Sequence, residues 1–139
     1  MKCGRYLLIF ILIGIFSKTY AQNQDLKKLQ QAFGNERFNY LQSHHPDSLE
    51  YYKFVCENGF RITDKKYAKP EEISKASLIS LPESCFKSGK IDISSINIFL
   101  LPVEFLPNEN HSYSIEGTDY LLILHSKDYL QRKFSSKPH

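Results

Sequence analysis

The segment EGTDYLLIL, residues 116–124, holds a turn followed by an unbroken apolar run. Gly117 suits the tight turn of a β-hairpin. Tyr120–Leu124 then places apolar side chains on both faces of a strand, because successive side chains point to opposite faces. Strands of this kind are typical of the centre of a sheet that is covered on both sides. We therefore predict a central strand at Tyr120–His125, paired through the hairpin with Tyr113–Glu116.

Other short strands and a closing helix are predicted around this hairpin. Alternating polarity and flanking prolines predict strands at Phe60–Thr63, Ala76–Leu81 and Ser95–Leu101. The residues Pro70-Glu71-Glu72 are typical of a first helical turn, where acids suit the positive end of the helix dipole. Ser126 can cap a short C-terminal helix in which Leu130 and Phe134 lie one turn apart.

The first part of the chain after the N-terminal apolar run has a helical pattern. Gln24–Ser43 places its large apolar side chains on one stripe about 120° wide, which predicts a single amphipathic helix. Gly34 interrupts the pattern and allows a kink or break there, because glycine is a poor helix former.

The stretch SHHPDSLEYYKF, residues 43–54, marks the corner where that helix ends. Pro46 disfavours helical geometry at the preceding residue and is tolerated in the first turn of a following helix. His44 and His45 raise the alternative of a metal site, but adjacent residues point in different directions and no motif brings further ligands to them. We therefore interpret the stretch as a helix–helix corner.

The second helix is predicted to run from this corner to Asn58. Asp47 and Glu50 have the spacing of a capping box at its start, and Gly59 is expected to end it in the left-handed conformation. More than half of its circumference is apolar or aromatic, contributed by Leu49, Tyr51, Tyr52, Phe54, Val55 and Cys56. Such a helix is expected to be buried on several sides.

These elements together predict an α+β fold. Two N-terminal helices are expected to pack on a small, mainly antiparallel sheet of three to five strands, followed by a short C-terminal helix. The length suits one small α+β domain at residues 22–139.

The first residues have the pattern of a secretory signal peptide. Lys2 and Arg5 precede an apolar run at 6–16, and small residues end near Ala21. The apolar run is shorter than the roughly 20 residues that a membrane span needs. We therefore expect residues 1–21 to be removed on export to the periplasm or medium, leaving no stable membrane span.

Cleavage would also change the charge of the chain. The full sequence has 18 basic and 15 acidic residues, for a formal net charge of +3. The signal segment contains Lys2, Arg5 and Lys18 and no acid, so the mature chain has equal numbers of both signs. Its cations are dispersed among acids, unlike the basic face of a nucleic-acid binder. Nucleic acid is therefore not expected as a partner.

The sequence contains no motif that assigns a reaction. It lacks the common nucleophile, phosphate-loop and zinc signatures, so no catalytic residue, cofactor or metal ligand is predicted. Ser84-Cys85 with His125 could form a nucleophile and base, but unrelated structural roles explain these residues as well.

Cys56 and Cys85 are the two cysteines left after cleavage and could form a disulfide. Export would place them where disulfides persist, and a bridge would close a loop worth about 3–4 kcal/mol in the chain-entropy model. A buried free thiol suits Cys56 equally, because it lies on the apolar side of its helix. The sequence leaves both alternatives open.

Two functional hypotheses follow. The composition and signal pattern resemble those of small exported proteins of Gram-negative bacteria. The first hypothesis is a non-enzymatic binding or accessory protein of the bacterial envelope, whose partner would be another envelope or secreted protein. The alternative is a small periplasmic or secreted hydrolase or ligand-binding protein. An exposed aromatic patch including Tyr67, Phe105 and Tyr113 would favour the first, and a deep pocket collecting His, Asp and Ser would favour the second.

We predict Gln22 as the mature N-terminus, because Thr19-Tyr20-Ala21 best fits the small residues that signal peptidase requires. Mass spectrometry of the exported protein measures this directly. A membrane-bound chain that retains Met1 would contradict both the cleavage site and the charge argument.

Overall fold

The computed structural model describes residues 23–137, so the predicted signal segment lies outside it. The elements in chain order are α1 (23–33), α2 (Asn35–His44), α3 (Pro46–Asn58), β1 (Phe60–Asp64), α4 (Pro70–Ser74), β2 (Ser77–Ile79), β3 (Phe86–Lys87), β4 (Lys90–Ile91), β5 (His111–Ile115), β6 (Tyr120–Leu124) and α5 (Lys127–Ser135). Within this range no helix has the length and apolar character that a membrane crossing requires.

Four strands form a mainly antiparallel sheet in the order β1-β6-β5-β2, and β3 and β4 form a separate hairpin. The central strand β6 pairs antiparallel with β1 and β5, whereas β2 joins β5 in parallel at the far edge. All four residues of Leu121–Leu124 are fully buried, and burying each such side chain stabilises the fold by about 1.5–3 kcal/mol. The predicted α+β class and the central position of β6 are confirmed.

The two faces of β6 are covered by different layers. Leu122 and Leu124 join a hydrophobic core on one face. Ile123 points to the other face, where its register partner Arg61 pairs with Glu72 of α4 at 2.7 Å. Helix α4 also lies against β5. The crossover from β1 to β2 therefore covers the second face, which explains why the strand is apolar on both sides.

The first helix of the prediction is two helices in the structure. Gly34 separates α1 from α2 with φ 78° and ψ 160°, a conformation that is essentially restricted to glycine. Leu29 before the break and Phe38 after it still pack into one cluster with Leu49. The predicted apolar stripe is correct for Leu26, Leu29, Phe33 and Leu41, but Tyr40, which it also included, is 53% exposed, and Phe38 is buried instead. The chain also breaks completely at the position where a kink was allowed.

Helix α3 covers the predicted residues, but the predicted capping box is wrong. His45 is the N-cap, and no side chain caps the helix. Pro46 takes the first helical position, which places Asp47 inside the first turn. Glu50 pairs instead with Lys53 at 2.9 Å.

Gly59 also differs from the prediction, because its conformation is right-handed, with φ −72° and ψ −20°. A Cβ at this position would lie 2.5 Å from the Val55 carbonyl oxygen and 3.3 Å from the Phe105 ring. Glycine is therefore suited to this position by the close approach of other atoms, not by a left-handed backbone.

The segment Ser95–Leu101 was predicted as a strand, and this prediction is wrong. The chain forms two 3-10 turns there, Ile93–Ser95 and Ile98–Leu100. Ile98 packs into the core on the face of the sheet, so the segment lies where its backbone cannot reach a strand edge. Its N–H groups are satisfied locally instead, as in the bond from Leu100 N–H to the Asn97 carbonyl.

The remaining elements largely follow the prediction. Strands β1, β5 and β6 and helix α4 lie where expected, while β2 is shorter than Ala76–Leu81. Helix α5 begins after Ser126, whose hydroxyl accepts a hydrogen bond from the Tyr129 N–H at 3.2 Å.

Phe99 is the residue on which the layers converge, since its ring packs against all three hydrophobic clusters. We expect Phe99→Ala to lower the free energy of unfolding by about 3 kcal/mol, at the lower end of the range for buried phenylalanines because this ring is only partly buried. Urea unfolding measures the change.

Leu100→Ala is the matched control, because Leu100 is the next residue and is 57% exposed. We expect it to cost about 0.5 kcal/mol or less. Equal losses in the two variants would contradict the central position of Phe99.

Candidate functional site

An apolar pocket of about 230 Å³ lies between α3, α5 and the loop that follows the second 3-10 turn. We call it the aromatic pocket. Its walls are formed by Tyr51, Tyr52, Val55, Phe99, Phe105, Lys127, Leu130 and Gln131.

The two helices present one face each to the aromatic pocket, because their lining residues recur at helical spacing. The start of α5 is anchored to the loop that carries Phe105. The Lys127 N–H donates to the Leu106 carbonyl at 2.9 Å, and the Asp128 N–H donates to the Pro107 carbonyl at 3.0 Å. These bonds hold the exposed Lys127 at the pocket while Leu130 is buried below it.

Contacts between rings hold the aromatic walls in place. Tyr52 lies edge-to-face with Phe99, with centroids 5.8 Å apart, and with Phe33 at 5.0 Å. Tyr51 makes a similar contact with Phe134 at 5.3 Å. Such pairs contribute about 0.5–1.5 kcal/mol each beyond area burial. The pocket is therefore formed by side chains that are already fixed before any group enters it.

The aromatic pocket has the chemistry of a binding site. Lys127 is the one charged residue among those that line it, and the lining contains no histidine, serine, cysteine or carboxylate. Burial, and then the neighbouring Tyr52, raises the pKa of the Tyr51 hydroxyl above its ordinary value, so this group stays neutral. A nucleophile next to a base, which covalent catalysis requires, is not present among these residues.

The exposed patch considered from the sequence does not form. Tyr67 is 78% exposed, but Tyr113 is only 6% exposed and Phe105 is half-buried in the pocket wall. Sequence reasoning placed Tyr51 and Tyr52 on a buried helix but missed the contacts of Tyr52 with Phe99 and of Tyr51 with Phe134. The sequence feature that could have indicated these contacts is the number of large rings on α3, which is more than one neighbouring layer can cover.

A second, polar groove of about 420 Å³ lies between α4 and the start of β5. Two of its carboxylates are engaged in ion pairs, Glu72 with Arg61 at 2.7 Å and Glu109 with Lys75 at 3.6 Å. His111 and Ser112 both line it, but they are neighbours on a strand, where successive side chains point to opposite faces. The groove does not bring them together as a base and nucleophile.

The nucleophile and base considered from the sequence are not brought together. The Cys85 thiol lies 4.0 Å from the Ser95 carbonyl oxygen, and the His125 ring lies against Tyr129 with centroids 4.7 Å apart. No hydrogen bond joins Cys85 to His125 in residues 23–137. Burial, followed by the charge of Arg61, lowers the pKa of His125. His125 therefore ends a strand as a neutral boundary residue.

The corner histidines are surface residues. Tyr40 stacks on His44 with centroids 4.7 Å apart and lies 5.6 Å from His45. Across residues 23–137, no group of three or more His, Cys, Asp or Glu side chains is placed to share a metal ion.

Cys56 and Cys85 are both buried free thiols in the structure. Burial, and then the charge of Asp25, raises the pKa of Cys56 to about 12. Burial also raises the pKa of Cys85. Asp25 itself is 7% exposed, and burial followed by the charge of Glu57 raises its pKa. Burial thus shifts the pKa of each of these groups toward the neutral form, which suits packing more than chemistry.

Comparison with known proteins adds no assignment, since no protein-family model matches the chain and no curated protein or solved structure is significantly similar to it.

The state of the thiols is testable, because only the thiolate reacts with alkylating reagents. We expect Cys56 and Cys85 of the exported protein to resist iodoacetamide near neutral pH while folded, and both to react after denaturation without reductant. Peptide mapping under non-reducing conditions measures both results. A Cys56–Cys85 cross-linked peptide would show instead that the disulfide considered from the sequence forms.

Proposed function

We propose that the chain is an exported, non-enzymatic binding or accessory protein of the bacterial envelope, whose aromatic pocket receives an apolar group of another envelope or secreted protein. The observation that carries this proposal is the aromatic pocket itself, an apolar concavity lined by a single charged side chain, that of Lys127. The order of charged, apolar and small residues at 1–21 supports export.

The size of the aromatic pocket favours a side chain of a partner over a larger molecule. Pockets for drug-sized ligands occupy about 300–1,000 Å³, and this one has about 230 Å³. Such a volume suits one large apolar side chain. Protein interfaces draw most of their binding energy from a few anchor residues of this kind in well-packed pockets.

The alternative of a small hydrolase or ligand-binding protein rests on the polar groove beside α4. That groove contains His111 and Ser112, but the His111 Nδ1 lies 2.9 Å from the Glu104 carbonyl and 3.0 Å from the Tyr113 hydroxyl. This ring nitrogen is therefore engaged by the fold. The aromatic pocket is the better supported site.

A photo-crosslinking amino acid at Gln131, on the exposed side of the aromatic pocket, tests the proposal in the native host. We expect a specific partner to be cross-linked from Gln131 and not from Lys87, which is exposed on β3 and does not line the pocket. Combining the probe with Tyr51→Ala removes one pocket wall and should reduce the cross-linked yield about tenfold, as expected for an anchor contact.

Tyr40→Ala is the matched control, because it removes the same side chain at a position 53% exposed and outside the pocket. The yield from Gln131 should be unchanged in this variant. A partner that is captured equally from Lys87, or that is unaffected by Tyr51→Ala, would place the interaction elsewhere. Turnover of a substrate that is lost on mutating His111 would favour the alternative function.

A further inference from the structure

Resting on the proposed function, we infer that the apolar group received by the aromatic pocket belongs to a polypeptide and carries its own or an adjacent carboxylate, which binds the Lys127 ammonium. We call the partner's group that enters the pocket the anchor. The shape of the pocket alone does not define whether the anchor is charged.

Lys127 is placed to supply this charge. It is the one charged residue among those that line the pocket. The ion pairs found within residues 23–137 involve Lys53, Arg61, Lys66 and Lys75. Lys127 has no carboxylate within ion-pair distance in that part of the chain, so its ammonium remains available to an incoming anion.

Helix α5 carries net positive charge. Within Lys127–Ser135 there are three cations and one acid, Asp128. Lys133 lies over the Tyr129 ring at 5.9 Å and borders a different depression together with Glu57. Lys127 is therefore the cation of this helix that lines the aromatic pocket.

Carboxylates of the neighbouring helix do not offset the charge of Lys127 at the pocket. Glu50 of α3 is paired with Lys53, and Glu57 of α3 lines a different depression on the protein, with Phe54 and Lys133. A cationic anchor would therefore meet like charge at the rim, while a neutral anchor would gain only apolar burial. An anionic anchor would gain apolar burial and also an ion pair with Lys127.

The expected gain is modest because Lys127 is exposed to solvent. Exposed ion pairs contribute about 0.2–1 kcal/mol, which corresponds to a preference of roughly 1.4- to fivefold. The carboxylate is therefore expected to select and orient the anchor, while the aromatic walls provide most of its affinity.

Two blocked amino acids with the same apolar group separate these contributions. N-acetyl-L-phenylalanine carries a carboxylate, and N-acetyl-L-phenylalaninamide is its neutral counterpart. Titration of the ¹⁵N-labelled exported protein, followed by NMR chemical shifts, locates and quantifies weak binding of each probe. We expect both to shift the amides of Tyr52, Phe105 and Leu130, with the carboxylate binding about 1.4- to fivefold more tightly.

Variants of α5 assign the preference to one side chain. Lys127→Met should abolish the preference while keeping the apolar stem, and Lys127→Arg should retain it. Lys133→Met is the matched control, because it removes the same charge from the same helix outside the aromatic pocket, and the preference should persist. Raising the salt concentration should reduce the difference in affinity between the two probes, because the ion pair is exposed to solvent.

The outcomes distinguish the inference from the proposed function. Equal affinities for the two probes at the aromatic pocket would overturn the inference and leave the pocket as a binding site. A preference that survives Lys127→Met, or is lost equally in Lys133→Met, would overturn it as well. Shifts by neither probe at any pocket residue would count against the proposed use of the pocket itself.

Discussion

The packing of the Phe99 ring is the contact on which the arrangement of the layers depends. It belongs to the edge of the sheet core, to the cluster between α1, α2 and α3, and to the cluster between α3 and α5. A residue that contacts three layers must lie on a segment that packs over the sheet and is not one of its strands. The 3-10 turn at Ile98–Leu100 provides this position, because it satisfies its backbone locally and leaves the side chains to reach different neighbours.

The aromatic pocket arises from the same junction. Side chains of α3, α5 and the loop that carries Phe105 line the pocket, but they do not fill the space beside Tyr51, Tyr52 and Phe99. Well-packed interiors leave few voids larger than a water molecule. Apolar surface left open at a junction of this kind lowers the burial available to the fold, which is the usual cost of a binding site.

Within residues 23–137, four ion pairs lie away from the aromatic pocket. Glu72 is only 11% exposed and is held by Arg61 and by the backbone N–H of Lys69, which fixes α4 over the sheet. Burial raises the pKa values of the two buried thiols and of Asp25. Lys127 differs from the paired residues, because backbone hydrogen bonds of α5 set its position and no carboxylate pairs with it within residues 23–137.

The sequence by itself determined the elements whose signals are local. The apolar run Tyr120–Leu124 implied a central strand, Pro46 implied a corner, and Ser126 implied a helix start, because each depends on its own side chain or its immediate neighbours. Tertiary structure decided the rest. Ser95–Leu101 has the composition of a strand but lies over a sheet face, and the aromatic pocket brings residues of α3 and α5 together with Phe99 and Phe105. These features depend on contacts between segments distant in the chain, which periodicity and propensity do not encode.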